Sequence, residues 1–365
     1  TVTSITIPDS TEHIEYGAFG GCTAITEIKL GAGLTRIGSE VFKGTKPYED
    51  AETLFCIDGW LLEVKDKTIE ELEIPAGVYG LADFAVSACK ALESIDIEGV
   101  KYVGRASFYN CIALWEVIFD DALLVIGENA FRDCKKLTDI TLEEGLEKID
   151  SYAFMNCAML YEMDIPDSVN VIGGYAFYGS AKYKTTKSGV IQMDDWAVGI
   201  APPSMLVGYY DVINIDESVR AIANYAFYGV PVAYTYIPDS VKTIGKSAFS
   251  GCVNLSKVTM GDGVTTLGNN AFTNCNRLSD IDLSDTLESI GSEAFKGCRR
   301  MKKILVLNGP NINMLGVREK NIYGRRDFKS LCAYIESAAD KLGVHVDLMQ
   351  SNYEGDIVTA IQNAY

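Results

Sequence analysis

The segment from Ala153 to Gly173 reads AFMNCAMLYEMDIPDSVNVIG, and it decides the fold because close copies of it recur along the chain. Its general form is A-F-x-x-C-x-x-L-x-x-I-x-I-P-D-S-V-x-x-I-G. About eleven units of roughly 23 residues can be traced, and such a fixed period is the signature of a repeat protein. In two series the cysteine recurs every 23 residues, three residues after a phenylalanine, at Cys111, Cys134, Cys157, Cys252, Cys275 and Cys298.

Each unit carries two apolar segments that predict strands. The L-x-x-I-x-I segment alternates buried and exposed positions, and it is expected to bury pairs such as Ile95 with Ile97 or Ile281 with Leu283. A second apolar pair near the end of the unit is expected to face the same interior, and the glycine after it, such as Gly173, predicts a tight turn. One unit cannot bury both faces alone. The sequence therefore predicts a β-rich solenoid with strands stacked about 4.8 Å apart.

Two stretches, residues 45–80 and 180–215, interrupt the period. The first reads DGWLL around Trp60 and the second DDWAV around Trp196. Their likeness predicts a hairpin-bearing variant of the unit, used twice within a larger duplication. Insertions in solenoids tend to collect on one face, which is often the binding face.

Charge is distributed unevenly along the chain, whose net charge is −18. Residues 301–365 hold eight Lys/Arg and seven Asp/Glu, so residues 1–300 hold 24 basic and 43 acidic side chains and a net charge of −19. An acidic surface without a basic stripe argues against nucleic acid and anionic membranes as partners, and favours cationic ones. No apolar run reaches the eighteen or so residues that a membrane span needs. The chain begins at Thr1 without an initiator Met or a signal-peptide pattern, so we expect the natural chain to extend further.

Eight of the ten cysteines occupy one repeat position, which favours a ladder of small buried thiols over a disulfide framework. Disulfides remain the alternative. A zinc site would need clustered ligands, whereas the chain has no C-x-x-C and its histidines are His13 and His345. No metal and no other cofactor is predicted.

Strand residues that alternate with the buried positions form a candidate recognition face. Carboxylates and tyrosines mix there, a composition that suits cationic or extended protein ligands. A solvated polar face without a ligand is the alternative. The residues are Asp96, Glu116, Ile118, Asp139, Thr141, Glu162, Asp164, Tyr234, Tyr236, Thr259, Asp280 and Asp282.

The combination of A-F-x-x-C with I-P-D-S-V-x-x-I-G resembles the bacterial surface-repeat family known as BspA-like leucine-rich repeats, over roughly residues 1–300. Members are typically secreted or attached to the cell surface and are implicated in adhesion. The resemblance therefore implies a protein or cell-surface ligand for the solenoid.

From Met301 the repeat gives way to MKKILVLNGPN. This apolar run, a helical pattern over residues 327–342, a second strand over 344–348 and a helix start after Glu354 predict a β-α-β segment over residues 301–365. In α/β folds, ligands bind beyond the carboxyl ends of the strands, and both loops fall there.

This segment resembles type II 3-dehydroquinate dehydratase, a flavodoxin-like α/β family. The signature N-G-P-N-x-N-x-L-G-x-R-E-x-x-x-Y-G matches residues 308–324, and QSNYEG at 350–355 matches a second signature except for Tyr353, where His is usual. The resemblance implies the shikimate-pathway conversion of 3-dehydroquinate to 3-dehydroshikimate and water, without a cofactor.

The resemblance also assigns residue roles. Tyr323 is implied as a tyrosinate base, Arg318 as the cation that favours its phenolate form, and Asn311 as a group that stabilises the enolate. The implied substrate-binding positions are Asn313, Glu319, Asn352 and Glu354.

The family's catalytic histidine has no counterpart before Tyr365, so we expect residues 1–365 by themselves to lack dehydratase activity. Two hypotheses stay open. One is a binding solenoid with an incomplete dehydratase domain, and the other is a complete dehydratase, in a chain that continues past Tyr365, with an acidic repeat extension. The two resemblances imply different localisations: a secreted or surface protein from the repeats, and a cytoplasmic one from the enzyme. The resemblance to the dehydratase also makes oligomers possible through that part of the chain.

Overall fold

A computed structural model of the chain contains two compact units, Thr1–Ala201 and Pro202–Tyr365. In both units the repeats form turns of a β-solenoid, here called rungs, and the described residues hold about 12 of them, each of about 23 residues. The predicted solenoid is confirmed, with about twelve rungs where the sequence gives about eleven units. The structure describes residues 2–161, 163–180, 184–185, 189–200, 212–298, 304–308, 328–342 and 346–350.

The L-x-x-I-x-I segments form the front sheet, in which equivalent residues of successive rungs pair in parallel. Glu116, for example, lies between Ser94 and Asp139, each one repeat away. Ile95 and Ile140 point inward and are buried, as the alternation predicts. The front strands are β1 (Ser4–Thr6), β3 (Glu27–Lys29), β8 (Ser94–Asp96), β10 (Glu116–Ile118) and β12 (Asp139–Ile140) in the first unit, and β18 (Val212–Asn214), β20 (Tyr234–Ile237), β22 (Lys257–Met260) and β24 (Asp280–Asp282) in the second.

The second apolar pair of each unit forms a back sheet of two-residue parallel strands. Ile126 and Ile149 pair there and are fully buried against the interior. The back strands are β2 (His13–Ile14), β4 (Arg36–Ile37), β7 (Gly80–Leu81), β9 (Tyr102–Val103), β11 (Val125–Ile126), β13 (Lys148–Ile149), β14 (Val171–Ile172), β19 (Ala221–Ile222), β21 (Thr243–Ile244), β23 (Thr266–Leu267) and β25 (Ser289–Ile290).

Both interruptions of the repeat contain the predicted hairpin. In the first, helix α1 (Lys46–Asp50) precedes the antiparallel pair β5 (Leu54–Ile57) and β6 (Trp60–Val64). The second contains β15 (Lys184–Thr185), β16 (Val190–Met193) and β17 (Trp196–Ile200). Strand β16 pairs antiparallel with both β15 and β17. Trp60 and Trp196 are both buried, so each tryptophan anchors its hairpin in the core.

The Ala-Phe-x-x-Cys segment turns the chain from the back sheet towards the front sheet and is called the corner. Phenylalanine rings of successive rungs stack there, with centroids 5.0 Å apart for Phe108 and Phe131 and 5.3 Å for Phe131 and Phe154. The Phe131 N–H also donates to the carbonyl of Ala153 on the next rung at 2.7 Å. The repeat phenylalanine therefore fills the corner of each of these rungs.

A turn follows the repeat glycine as predicted, over residues 174–179 after Gly173, but the glycine is required for a different reason. Gly173 does not adopt a positive φ; instead, a Cβ added there would lie 2.1 Å from the Ser151 nitrogen of the preceding rung. The glycine is therefore required for the close approach of two backbones. The left-handed positions of the corner lie elsewhere, for example at Tyr152 and Asn156 in one rung.

The cysteine ladder is confirmed. Each of the six cysteines of the two series donates its thiol to a carbonyl of the preceding rung, as when Cys134 Sγ donates to the Phe108 oxygen at 3.0 Å. All ten cysteines of the described residues are free thiols. Cys22 differs from its counterparts because it is exposed: it lies on the first rung, where no earlier rung of the described chain covers it.

The C-terminal segment contains the expected β-α-β arrangement. Strand β26 (Ile304–Asn308) pairs in parallel with β27 (Val346–Gln350), and helix α2 (Phe328–Leu342) lies between them in sequence. The second strand is predicted over residues 344–348, of which 346–348 are described and lie in β27. The helix expected after Glu354 lies outside the described residues.

Candidate functional site: the front face and the dehydratase-like segment

The front face, meaning the outward side chains of the front sheet, is acidic in the first unit. Glu116 and Asp139 are neighbours in the ladder, about 4.8 Å apart, and Asp96 lies beside Ile118. Among the described residues neither Glu116 nor Asp139 takes part in an ion pair. Because adjacent like charges repel, this column favours a cationic group placed over it.

Other predicted residues continue this face along the rungs. Thr141 and Asp164 occupy the repeat position of Asp96 and Ile118, and both are exposed. Glu162 lies outside the described residues. The predicted alternation thus places each described member of the face at the surface of the first unit.

Trp115 was missed by the sequence reasoning. Its side chain is 42% exposed, and its backbone lies in the ladder between Glu93 and Thr138, through hydrogen bonds of 2.8 and 3.0 Å. Ile118, on the same rung, is 44% exposed. The available signal was a tryptophan directly after the buried leucine of the unit, outside the alternating positions. An exposed tryptophan is the residue type most often found at binding hot spots.

The second unit presents a different front face. Tyr234 and Tyr236 are exposed, as expected. Lys257, however, lies between Tyr234 and Asp280 in the ladder, and its Nζ is 2.9 Å from the Asp280 carboxylate. This hydrogen bond raises the pKa of Lys257. Asp280 is therefore paired, and the face of this unit is aromatic and less acidic than the sequence suggests.

The last front strand also corrects a core assignment. Leu283 is 41% exposed and Ile281 is half-buried, whereas the pattern predicts a buried pair. Within the solenoid ladder β24 is an edge strand, since it pairs with β22 alone among the described front strands. Without a covering rung, the apolar pair stays partly at the surface.

A cavity of about 540 Å³ lies in the first unit, near the hairpin after β4. The buried Asp83 carboxylate at its wall accepts bonds from Arg36, with Nη2 at 2.7 Å, and from the Arg105 backbone N–H at 2.9 Å. The bond to Asp83 raises the pKa of the Arg36 guanidinium. Because the Arg36 and Asp83 side chains neutralise each other, this ion pair is better explained by a structural role than by ligand binding. Among the described residues no group of three or more His, Cys, Asp or Glu is placed to hold a metal ion.

In the dehydratase-like segment, Asn308 pairs with Gln350 at the carboxyl ends of the two parallel strands. These two residues open the two signature motifs, so both loops leave the same edge of the sheet. The implied catalytic and substrate-binding residues lie outside the described part of the chain; they are Asn311, Asn313, Arg318, Glu319, Tyr323, Asn352 and Glu354.

Comparison with curated proteins finds relatives of the C-terminal segment. The 3-dehydroquinate dehydratases of Clostridium acetobutylicum and Lachnospira eligens are each 54% identical to this chain over 63 residues. The match covers 17% of this chain and 44% and 43% of those proteins. The chain thus spans less than half the length of the curated relatives it matches.

Solved structures of leucine-rich repeat proteins are also similar. One from Bacteroides ovatus is 20% identical, with a TM-score of 0.34 and coverage of 95% of this chain and 84% of that one. A leucine rich cell surface protein from Faecalibacterium prausnitzii is 20% identical, with a TM-score of 0.36 and coverage of 98% and 81%. In the part of the chain that the structure describes, no helix is long and apolar enough to cross a membrane.

Two family models match the sequence. The Dehydroquinase class II model matches residues 302–365. The model of the BspA type leucine rich repeat region matches residues 1–53, 64–184 and 210–316 in six copies, which is well over half of the chain. These residues include most of the rungs described above, and the chain therefore belongs to the BspA type leucine rich repeat family.

Proposed function

We propose that the solenoid binds a protein partner, free or on a cell surface, through the front face of its first unit. The observation that carries this proposal is the exposed Trp115 beside the unpaired carboxylates of Glu116 and Asp139. A large aromatic ring supplies apolar contact area, and the carboxylates around it select for charge. A solvated face without a partner would not need an exposed tryptophan.

The expected partner presents a basic surface. The repeats carry a net charge of −19, so the field of the solenoid attracts cationic proteins and speeds their association. Contacts with Trp115 would then hold the complex after the encounter. Weakening of the complex by salt is expected, because exposed charges about a Debye length apart are screened.

The test compares binding of a panel of purified basic and acidic extracellular proteins by interferometry. The altered protein combines Trp115→Thr with Ile118→Thr, which copies Thr138 and Thr141 of the next rung and so preserves the fold. Its affinity for the bound partner should fall about tenfold or more. Val253→Thr, at another exposed apolar site, is the control and should change nothing. Equal affinity of the double variant and the wild type would contradict the proposal.

A second function is favoured by the identity of 54% over 63 residues and by the common edge from which both signature loops leave. We propose that residues 302–365 supply part of a 3-dehydroquinate dehydratase site. In this proposal Tyr323 removes the proton next to the ketone, Arg318 favours the phenolate and Asn311 stabilises the enolate. The reaction releases water and forms 3-dehydroshikimate.

The enzyme proposal is tested on the protein isolated from its native cells, by following 3-dehydroshikimate formation in the ultraviolet. Turnover is expected if that protein carries the rest of the domain, and Tyr323→Phe should remove it without unfolding the protein. Purified residues 1–365 serve as the comparison and should be inactive. Unchanged turnover in the Tyr323→Phe protein would contradict the assignment of the base.

A further inference from the structure

Each corner carries two outward positions, here called the corner pair: the residue before Ala-Phe and the residue after it. In several rungs the two side chains bind each other. Lys43 bonds Glu40 at 2.9 Å, and Lys296 bonds Glu293 at the same distance. In another rung Asn270 accepts a hydrogen bond from Thr273 at 3.3 Å. In these rungs the corner pair is thus polar and satisfied within its own rung.

Two rungs replace this polar pair with two tyrosines. The rings of Tyr175 and Tyr178 lie 6.1 Å apart at 77°, and those of Tyr225 and Tyr228 lie 6.0 Å apart at 61°. The first pair belongs to the first unit and the second pair to the second unit. Tyr152 enlarges the first pair, because its ring stacks on Tyr175 at 5.7 Å. The same edge-on arrangement therefore arises independently in each unit.

These tyrosines are a poor choice for folding. Tyr175 and Tyr225 have φ of 58° and 59°, the left-handed region that disfavours bulky side chains. Asn129 and Asn270 occupy the same repeat position in other rungs, and asparagine tolerates this conformation. Three of the four tyrosines also bury little: Tyr175, Tyr178 and Tyr228 are 47%, 53% and 55% exposed, whereas Tyr225 is half-buried. The left-handed φ recurs at this position in other rungs, for example at Glu40 and Ser247, so the strain belongs to the corner. A pair of bulky aromatic residues that accepts this strain without burying much surface points to a role outside folding.

We propose that each tyrosine corner pair binds a lysine or arginine side chain of a protein partner by cation–π contact. Two or three tyrosine rings that meet edge-on form part of an aromatic cage, the arrangement that recognises organic cations. The net charge of −19 on the repeats adds a long-range attraction for such groups. This site lies on the corner rather than on the front face, and it goes beyond the function proposed above.

Local charges at the corner are compatible with a cation. The Asp133 carboxylate accepts a bond from Asn156 at 2.8 Å, and the Asn156 N–H donates to the Tyr178 carbonyl at 2.8 Å, so an acidic group lies along the same edge. Arg132 is also on this edge, but its Nε is 3.5 Å from the Asp133 carboxylate, which offsets its charge.

The test measures binding of a fluorescent peptide in which arginine alternates with glycine and serine, by anisotropy, at about 0.15 M salt to limit nonspecific attraction. The altered protein carries Tyr175→Asn and Tyr178→Thr together with Tyr225→Asn and Tyr228→Thr, which copies the native pair of residues 270 and 273 in both rungs. Its affinity should fall about fivefold or more. Its melting temperature should stay equal or rise, because asparagine relieves the backbone strain.

Three controls make the result specific. Tyr109→Thr removes a lone tyrosine whose corner partner is Ala106, and it should leave the affinity unchanged. Tyr175→Phe keeps the aromatic ring and should retain binding. Trp115→Thr is made in both the wild type and the fourfold variant, because the acidic front face can also attract an arginine peptide; the tyrosine changes should lower the affinity about fivefold or more in either background, so this inference and the proposed function fail separately.

Several outcomes would overturn the inference. Wild-type affinity in the fourfold variant would show that the tyrosines do not bind the cation. Equal binding of a matched peptide with glutamine in place of arginine would show recognition of something other than charge, as would competition by neutral oligosaccharides. Loss of peptide binding through Trp115→Thr alone would transfer the site to the front face.

Discussion

In the cysteine ladder, burial between stacked rungs changes the pKa and the reactivity of the thiols. Burial raises the pKa of the Cys111 thiol to about 12 and raises those of Cys134 and Cys157 as well. The thiolate is the reactive form, so these groups are chemically inert while the rungs stay stacked. Such a ladder therefore shields its thiols from reagents that attack the thiolate.

Thiol labelling of the native protein should therefore be selective. Ellman's reagent should react at once with the exposed Cys22 and more slowly with the half-buried Cys56 and Cys332, whereas the seven buried corner thiols should react only after unfolding in urea. The measurement is the number of protein thiols that react with the reagent in the native and in the unfolded protein. Rapid reaction of Cys134 in the native state would contradict the ladder.

Cys111, Cys134 and Cys157 predict a loss of stability at alkaline pH. A thiol in the unfolded chain ionises near pH 8.5, whereas burial raises the pKa of these three thiols in the folded protein, so their contribution is complete below about pH 8.5 and lost above it. Each buried thiol should lower the unfolding free energy by up to about 1.4 kcal/mol per pH unit in this window. Urea titrations at pH 7.5 and 10 measure the slope. Replacing Cys111, Cys134 and Cys157 by alanine should reduce the slope, and an unchanged slope would contradict this origin.

The backbone glycines make the stack possible at a few fixed points. A Cβ at Gly127 would lie 2.7 Å from the Val103 oxygen of the preceding rung, so Gly127→Ala should destabilise the protein by about 1–3 kcal/mol. The control is Gly99→Asn, because Gly99 has a φ of 78° and open space around its Cβ position. Equal losses in the two variants, measured by urea unfolding, would argue against close approach as the reason for Gly127.

At the scale of elements, the periodicity of the sequence predicts the secondary structure of each rung, but it does not predict side-chain contacts between neighbouring rungs. The strands, the phenylalanine corner, the hairpins at Trp60 and Trp196 and the β-α-β segment follow from local pattern. The pairing of Lys257 with Asp280 does not, because it depends on the register of stacked rungs. Trp115 was missed for a related reason: alternation describes the strand itself, whereas this residue precedes it.

The hairpins contain one contact that no local pattern reveals. Asp58 and Asp194 begin the two hairpin turns with φ of 43° and 50°, and their carboxylates accept the backbone N–H groups of Leu30 at 2.8 Å and Ile165 at 3.2 Å. The two hairpins therefore anchor to the preceding rung in the same way, which supports the predicted duplication.

Removal of this anchor should be measurable. Asp58→Gly keeps the positive φ but loses the acceptor, and it should lower the unfolding free energy by about 1 kcal/mol. Asp58→Asn retains an acceptor oxygen and should be close to the wild type in the same urea titration. A loss in Asp58→Asn as large as that in Asp58→Gly would contradict the anchoring role.

At the scale of the whole molecule, the composition and the repeat predict an acidic solenoid surface. Which ligand that surface binds depends on the particular side chains exposed on it. The acidic charge excludes some partner classes, and the stacking of rungs turns single residues into columns such as Glu116 and Asp139. The catalytic residues implied for the C-terminal segment stay predictions, since they lie outside the described residues. Sequence alone could place the front face but could not separate its acidic first unit from its aromatic second unit.

The central claim is that the front face of the first unit binds a protein partner. Trp115 is exposed whereas Trp60 and Trp196 are buried, so acrylamide quenching of tryptophan fluorescence reports mainly on Trp115. The measurement compares quenching of the free protein with quenching after saturation by a nonfluorescent partner from the binding panel. We expect the partner to reduce quenching of Trp115 to near the level of the two buried tryptophans. A saturated complex with unchanged quenching would contradict the claim.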